Sequence, residues 1–197
     1  MSDKLIETVA GLPRVCEHIN LPVQAGDDRV LRAMKRGYTV AAYRGLVERI
    51  RAQIPGVALS TDLIVGFPGE TREEFQRGYD LLKDLRFDVV HAAMYSPRPG
   101  TVASRMVDDV PQAEKRERLQ MVEDFQERVA REYNEALVGR EVEVLVERRH
   151  KGKWEGRTRT DKLVFFADDA DWQGKLARVK VTRASAWSVQ GELAEAE

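Results

Sequence analysis

The pattern of the chain changes near Gly139, and this change constrains the fold more than any other feature. Before it, apolar runs typical of buried strands alternate with segments whose apolar residues recur at helical spacing. After it, residues 140–190 contain only short period-two segments separated by turn residues. Strands alternating with helices build parallel sheets, whereas several short strands build small barrels. The sequence therefore predicts an α/β domain over residues 1–138 and a small all-β, OB-like barrel over 139–193, with 194–197 as a tail.

The α/β part contains few strands for its type. Apolar strand patterns occur at residues 19–23, 57–65 and 87–95, with three or four helices around them. The spacing of Thr71 and Glu74 is that of a capping box that opens one of these helices. Three parallel strands do not close a barrel, since small barrels take about eight. The pattern is therefore that of the later part of a longer α/β domain.

The chain has one cysteine, Cys16. One cysteine excludes an internal disulfide and any metal or iron–sulfur site built from several thiolates of this chain. We expect Cys16 to be a small buried hydrophobe. No apolar run approaches the ~20 residues of a membrane helix, and the first residues do not resemble a secretory signal. A cytoplasmic protein without membrane contact is the expectation.

The strongest candidate for a binding loop lies within residues 60–71, where an apolar strand runs into Gly66, Pro68 and Gly69 before a helix starts. In parallel α/β folds, ligands bind beyond the carboxyl ends of strands, where this loop would lie. The glycines permit unusual backbone angles, and N–H groups at the helix start can bind an acceptor atom. An ordinary βα turn is the alternative.

Polar residues after the other strand patterns are further candidates. Asn20 and Gln24 can orient a polar ligand or cap backbone groups, and His18 is expected to be structural. Arg98 lies between two prolines, where a rigid guanidinium suits a carboxylate or phosphate. A salt bridge to a neighbouring helix is the alternative for Arg98.

The barrel region is mildly basic, with 12 Lys and Arg against 8 Asp and Glu over residues 139–191, although the whole chain has a net charge of −1. Basic side chains beside exposed aromatic ones on a small barrel favour nucleic-acid binding. The alternative is a solvated charged hairpin, and Glu147, Glu155 and Asp161 weaken the patch. The predicted RNA-binding residues are Arg148, Arg149, Lys151, Lys153, Trp154, Arg157, Arg159 and Lys162, with Phe165 as a second aromatic residue beside them.

Five segments together resemble the methylthiotransferase family of radical S-adenosylmethionine (SAM) enzymes, most closely the branch that modifies N6-isopentenyladenosine at position 37 of tRNA. They are LPVQAG at 21–26, STDLIVGFPGET at 60–71, YSPRPGT at 95–101, GRTRT at 156–160 and WSVQGEL at 187–193. The resemblance covers nearly the whole chain, in family order. It implies the C-terminal half of a radical SAM partial barrel followed by a TRAM barrel.

The resemblance also implies which residues bind SAM. Residues 62–70 match the family pattern Gly-x-Ile-x-Gly-x-x-Gly-Glu except at its first position, where this chain has Asp62. The SAM-binding residues implied in this way, together with contacts expected from the other two loops, are Gln24, Asp62, Ile64, Gly66, Gly69, Glu70 and Arg98.

The same resemblance implies cofactors and partners. Full-length members use SAM and two [4Fe–4S] clusters, one of them held by a Cys-x3-Cys-x2-Cys loop that this chain does not contain. We therefore expect the chain to be part of such an enzyme, inactive alone, with the N-terminal domains and a tRNA anticodon stem-loop as partners. Two alternatives stay open: an enzyme that modifies an aspartate of a ribosomal protein, and a non-catalytic RNA-binding remnant.

Overall fold

A computed structural model describes residues 1–194, and residues 195–197 of the predicted tail lie outside the described residues. Its contacts group residues 1–10 and 19–126 into one compact unit, and residues 11–18 and 127 onward into a second. The domain boundary that the sequence predicts between residues 138 and 139 stays a prediction.

The first unit is built from a three-stranded sheet with helices, and the second from a barrel. Up to the barrel the elements are α1 (Asp3–Gly11), β1 (His18–Asn20), α2 (Asp28–Ala33), α3 (Val40–Gln53), β2 (Ala58–Val65), α4 (Arg72–Leu85), β3 (Val89–Met94), a 3-10 turn (Ala103–Arg105) and α5 (Gln112–Glu135). The barrel strands are β4 (Glu141–His150), β5 (Lys153–Thr158), β6 (Leu163–Phe166), β7 (Leu176–Ala184) and β8 (Val189–Leu193).

The sheet of the first unit has the order β1-β2-β3, and β2 pairs with β3 in parallel from Ser60–Val89 to Val65–Met94. The central strand β2 is almost entirely buried, as its continuous apolar pattern predicts. The capping box is confirmed, because the Thr71 hydroxyl accepts the Glu74 N–H and the Glu74 carboxylate accepts the Thr71 N–H. These features place the start of α4 directly after the carboxyl end of β2.

The second unit contains a closed five-stranded barrel of order β4-β5-β6-β8-β7, which confirms the predicted all-β part after the α/β part. Val144, Val164, Phe166, Val179 and Val189 are among the buried residues of its core. The end of α5 belongs to this unit, where the Asn134 side chain donates to the carbonyls of Ser185 and Ala186. The amide thus satisfies two acceptors that the turn between β7 and β8 leaves free.

Some expectations about the start of the chain are wrong. Strand β1 ends at Asn20 rather than continuing to Val23, because Pro22 has no N–H to donate to a ladder. Cys16 is exposed rather than buried, since it lies in the irregular segment between α1 and β1. Helix α1 buries one of its residues, Ile6. Within residues 1–194 no helix has the length and apolar character needed to span a bilayer.

Two glycines allow the barrel strands to pack closely. A Cβ atom on Gly156 would overlap the carbonyl oxygen of Leu145, and one on Gly191 would overlap that of Lys180. We predict that Gly156→Ala lowers the free energy of unfolding of the barrel by more than about 2 kcal/mol, because backbone atoms must move.

All three tryptophans of the chain lie after residue 150, so tryptophan fluorescence during denaturant unfolding follows the barrel unit. Glu143→Ala is the matched control, since Glu143 is an exposed residue of strand β4 in the same barrel. Equal unfolding midpoints for the two variants would contradict the steric argument.

Candidate functional site

A cavity of about 690 Å³ opens at the carboxyl ends of β2 and β3, a volume typical of small-molecule sites. One part of its lining is apolar and includes Ile64, Phe67 and Tyr95. The Phe67 and Tyr95 rings meet edge to face, with centroids 5.3 Å apart. Polar residues line the rest: Gln24, Lys35, Arg36, Asp62, His91 and Arg98 are among them. The cavity thus combines surface for a flat apolar group with side chains for charged ones.

Gln24 is held at the cavity wall in a left-handed backbone conformation, with φ of 68°. Its N–H donates to the Asp62 carbonyl and its own carbonyl accepts the Ile64 N–H, which ties the loop after β1 to β2. Its side-chain Oε1 accepts from Arg36 at 3.1 Å. A non-glycine residue with positive φ persists only where its surroundings enforce it. The two backbone bonds provide that constraint.

A buried carboxylate closes the glycine turn after β2. The Glu70 side chain accepts the Gly66 N–H at 2.6 Å and the Arg118 guanidinium at 2.7 Å, and both charged side chains are 4% exposed. Burial raises the pKa of the Glu70 carboxyl, while the Gly66 N–H and Arg118 oppose that rise. The Gly69 N–H donates to Asp109 at 2.6 Å. The turn is therefore held mainly by residues of the segment leading into α5 and of α5 itself.

A fully buried lysine packs against the same turn. The Lys115 stem packs against Gly66, and its ammonium binds both carboxylate oxygens of Asp108 at 2.5 and 2.7 Å. The same ammonium lies 5.3 Å from the centre of the Tyr95 ring. A buried charge is tolerated only when it is paired, and here the pair also fixes a residue of the cavity wall.

A second ion-pair network links the loop after β1 to the turn after β2. Arg29 of α2 donates to the Glu74 carboxylate and to the Gly69 carbonyl. Arg77 donates to Asp27 at 2.8 Å, and Asp27 is the N-cap of α2. Hydrogen bonds from Arg29 lower the pKa of Glu74 to about 2. This network joins two of the three loops that carry predicted SAM-binding residues.

The structure brings four of the seven predicted SAM-binding residues to the cavity: Gln24, Asp62, Ile64 and Arg98. Gly66, Gly69 and Glu70 lie in the adjoining turn and are not among its lining residues. Their geometry supports a positioning role, and the assignment of all seven to SAM stays a prediction. Sequence reasoning missed Arg36, Met34 and Phe67 as lining residues, although Phe67 lies within the quoted motif.

The predicted RNA-binding residues of the barrel fall into two groups. Arg148, Arg149, Lys151 and Lys153 occupy the hairpin between β4 and β5. Arg148 pairs with Glu155 at 2.8 Å, and Arg149 lies 5.5 Å from the centre of the Trp154 ring. Positive charge is therefore concentrated at this hairpin.

The other basic residues are engaged within the unit. Arg157 contacts Asp161 at 3.0 Å, and Lys162 lies 5.5 Å from the Tyr133 ring centre. Arg159 donates to Glu17 and to the Val15 carbonyl, and this contact lowers the pKa of Glu17. Their predicted contact with RNA would compete with these bonds.

The expectation that Trp154 is an exposed aromatic is wrong. Its side chain belongs to the barrel core, with the residue 6% exposed, and its indole Nε1 donates to the Asp168 carbonyl at 3.1 Å. The pairing of β5 with β6 places Trp154 opposite buried Phe166. The outward aromatic on this sheet is Phe165.

No group of three or more His, Cys, Asp or Glu residues that could hold a metal ion occurs within residues 1–194. The lone Cys16 likewise provides too few thiolates for a [4Fe–4S] cluster. The described residues of this chain therefore do not fit a [4Fe–4S] cluster.

Substitutions at the two glycines of the turn should differ in their effect. Gly66 and Gly69 have φ of 70° and 77°, so alanine costs about 1–2 kcal/mol at either. Only at Gly66 would the Cβ also displace the buried Lys115 stem, whereas among residues 1–194 a Gly69 Cβ would meet only the tip of Arg29, at 3.8 Å. We predict that Gly66→Ala destabilises the chain by about 1–3 kcal/mol more than Gly69→Ala. Helical circular dichroism in denaturant measures both, and equal losses would contradict the packing.

The pKa of Glu74 predicts a pH dependence. Its carboxylate is ionised in the folded state down to about pH 2, whereas its ordinary value is 4.5. Its stabilisation is therefore present above pH 4.5 and is lost as pH falls towards 2. We predict that Glu74→Gln, which keeps an acceptor for the capping box, is less stable by at most about 3 kcal/mol above pH 5. The difference should shrink on acidification, and a pH-independent difference would contradict the ionic role.

Family models match two parts of this chain. The model of the radical SAM superfamily matches residues 1–82, and that of the TRAM domain matches residues 135–194. The first match contains the glycine turn and part of the cavity wall, and the second contains the whole barrel.

Proteins named tRNA-2-methylthio-N(6)-dimethylallyladenosine synthase are similar to nearly all of this chain. The protein from Herpetosiphon aurantiacus is 55% identical over 98% of this chain and 45% of its own length. Those from Roseiflexus sp. and Chloroflexus aurantiacus are 54% and 53% identical, over 100% and 97% of this chain and 42% of their lengths. The chain thus spans less than half the length of the curated relatives it matches. Residues 1–82 of this chain are thus related to the radical SAM superfamily, and residues 135–194 to the TRAM domain.

Proposed function

We propose that this chain supplies a SAM-binding wall and the RNA-binding barrel of a methylthiotransferase that acts on C2 of N6-dimethylallyladenosine at position 37 of tRNA. The observation that carries the proposal is the identity of 50% or more with synthases of that name, over nearly the whole chain. The cavity at the strand ends supports it, because parallel α/β folds bind ligands there.

SAM fits the cavity by its chemistry. The apolar wall of Ile64, Phe67 and Tyr95 offers surface for the adenine, and Arg36 and Arg98 offer guanidinium groups for the carboxylate. Asp62 can accept a hydrogen bond from a ribose hydroxyl or from the ammonium group. When bound in such enzymes, SAM supplies the radical that abstracts hydrogen from the substrate.

The cluster chemistry must come from outside these residues. With one cysteine, the chain cannot provide the thiolates that a [4Fe–4S] cluster takes. We therefore assign the two clusters to other domains of the full-length enzyme, which are the proposed protein partners. The chain alone is proposed to bind SAM without cleaving it.

The RNA partner is proposed to be the anticodon stem-loop of tRNA, because position 37 lies there, and the proposed location is the cytoplasm. The basic hairpin between β4 and β5 supports an anionic partner. This basic hairpin favours an RNA substrate over the ribosomal protein that the related enzymes modify. A non-catalytic RNA-binding role is the second candidate, and the single cysteine is the observation that favours it.

Calorimetric titration with SAM tests the proposal on the 197-residue chain. We predict binding, and an affinity about tenfold lower for Arg98→Ala, since a charge-assisted hydrogen bond contributes about 1.5 kcal/mol or more. Arg105→Ala is the matched control, because Arg105 lies in the same loop region but not in the cavity lining. Equal binding by both variants would remove Arg98 from the site. RNA binding without any SAM binding would favour the non-catalytic role.

A further inference from the structure

Strand register creates a continuous outer band on the barrel. Arg148 of β4 is opposite Glu155 of β5, which is opposite Phe165 of β6. Phe165 is opposite Gln190 of β8, which is opposite Arg183 of β7. Directly opposed residues share a face of the sheet. We call these five residues, together with the neighbouring pair of His150 and Lys153, the outer band.

The band faces away from the core. The next residues along the central strands, Val164 and Phe166 on β6 and Val189 on β8, are buried in the barrel core. Because side chains alternate along a strand, their neighbours Phe165 and Gln190 point outward. Both are partly exposed, so the ring of Phe165 is available at the surface.

Polar and aromatic groups surround Phe165 on this face. The His150 ring lies with its centroid 6.3 Å from that of Phe165. The Lys153 ammonium donates to the Gln190 side chain at 2.9 Å. The band therefore places an aromatic face beside an amide, an imidazole and an ammonium group.

The charge of the band differs from that of the neighbouring outer surface. Arg148, Lys153 and Arg183 are exposed, while the acidic Glu155 is 6% exposed and paired with Arg148. Elsewhere on the outer face the charges alternate. There Lys180 is opposite Glu141 and Glu192, and Arg178 pairs with Glu141 at 3.1 Å.

We propose that the outer band binds an unstacked nucleobase of the RNA on the face of Phe165, with flanking phosphates on Arg183 and Lys153. Aromatic rings flanked by cations bind single-stranded segments in this way. The inference rests on the proposed RNA-binding function and adds to it a base-stacking position, Phe165, and a phosphate contact, Arg183. It accounts for an outward, partly exposed phenylalanine next to the buried Phe166.

The test measures binding of the chain to an anticodon-type stem-loop RNA with 2-aminopurine in its loop. Phe165→Leu keeps an apolar side chain but removes the π face. It should lower affinity about 5–150-fold, from a stacking energy of about 1–3 kcal/mol, and abolish the change in 2-aminopurine emission. Arg183→Ala should weaken binding and reduce the slope of log affinity against log salt by about 1. Lys180→Ala, a cation on the same strand but outside the band, should change affinity less than about twofold.

The outcomes separate this proposal from the proposed function. If the wild-type chain binds RNA and Phe165→Leu binds it with equal affinity and emission change, the stacking site is overturned while RNA binding stands. If Lys180→Ala weakens binding as much as Arg183→Ala, the attraction is diffuse and the band is not the site. Absence of RNA binding by the wild-type chain would contradict the proposed function itself. Thermal unfolding of each variant, followed by tryptophan fluorescence, verifies that the barrel is folded.

Discussion

A buried ion pair between Glu70 and Arg118 fixes the turn that follows β2, and the adjoining wall of the cavity is attached to this turn. Burying two charges is unfavourable unless their hydrogen bonds are satisfied. The Arg118 guanidinium also donates to Glu114 at 2.6 Å, although its Nε–H has no partner within residues 1–194. Here the Glu70 carboxylate also accepts the Gly66 N–H, so the carboxylate binds the backbone whose shape it determines. The Lys115 stem packs against Gly66, and its ammonium lies close to the Tyr95 ring. Lys115 therefore links the turn after β2 to the residue that follows β3.

This arrangement explains why a motif with the form of a ligand loop contains residues that do not line the cavity. Ile64 precedes the turn and reaches the cavity, while Gly66 and Glu70 shape the backbone that follows it. The Arg29 and Glu74 pair then joins the turn to α2, whose end contributes Ala33 and Met34 to the lining. Binding groups and positioning groups thus alternate along a short stretch of chain.

Local signals predicted the elements well, because they act over a few residues. The capping box, the buried strand β2 and the change to a barrel all follow from neighbouring residue types. The identity of the buried charges was not predictable in the same way. Lys115 and Arg118 fall at helical spacing from the buried Val122, but charged residue types are typical of exposed positions, and their acidic partners Asp108 and Glu70 become visible only in the fold.

In the barrel, too, neighbouring residues predict the strands, whereas contacts between distant residues decide which side chains are buried. Its strands were predictable from period-two alternation, but the face of each strand was not, because charged residues flank Trp154 on both sides. Register with β6 places Trp154 inward and Phe165 outward. Arg159 is also misleading in the sequence, since its partner Glu17 lies 142 residues away. The RNA-binding hypothesis therefore shifts from the indole to the outer band.

The proposed SAM-binding cavity lies at the ends of β2 and β3. Hydrogen–deuterium exchange of the chain with and without SAM tests this binding, since bound ligand protects the backbone amides around it. We predict slower exchange in the loop containing Gln24, at residues 62–67 and in the segment containing Tyr95 and Arg98. Unchanged exchange there, or protection confined to the barrel strands, would contradict it.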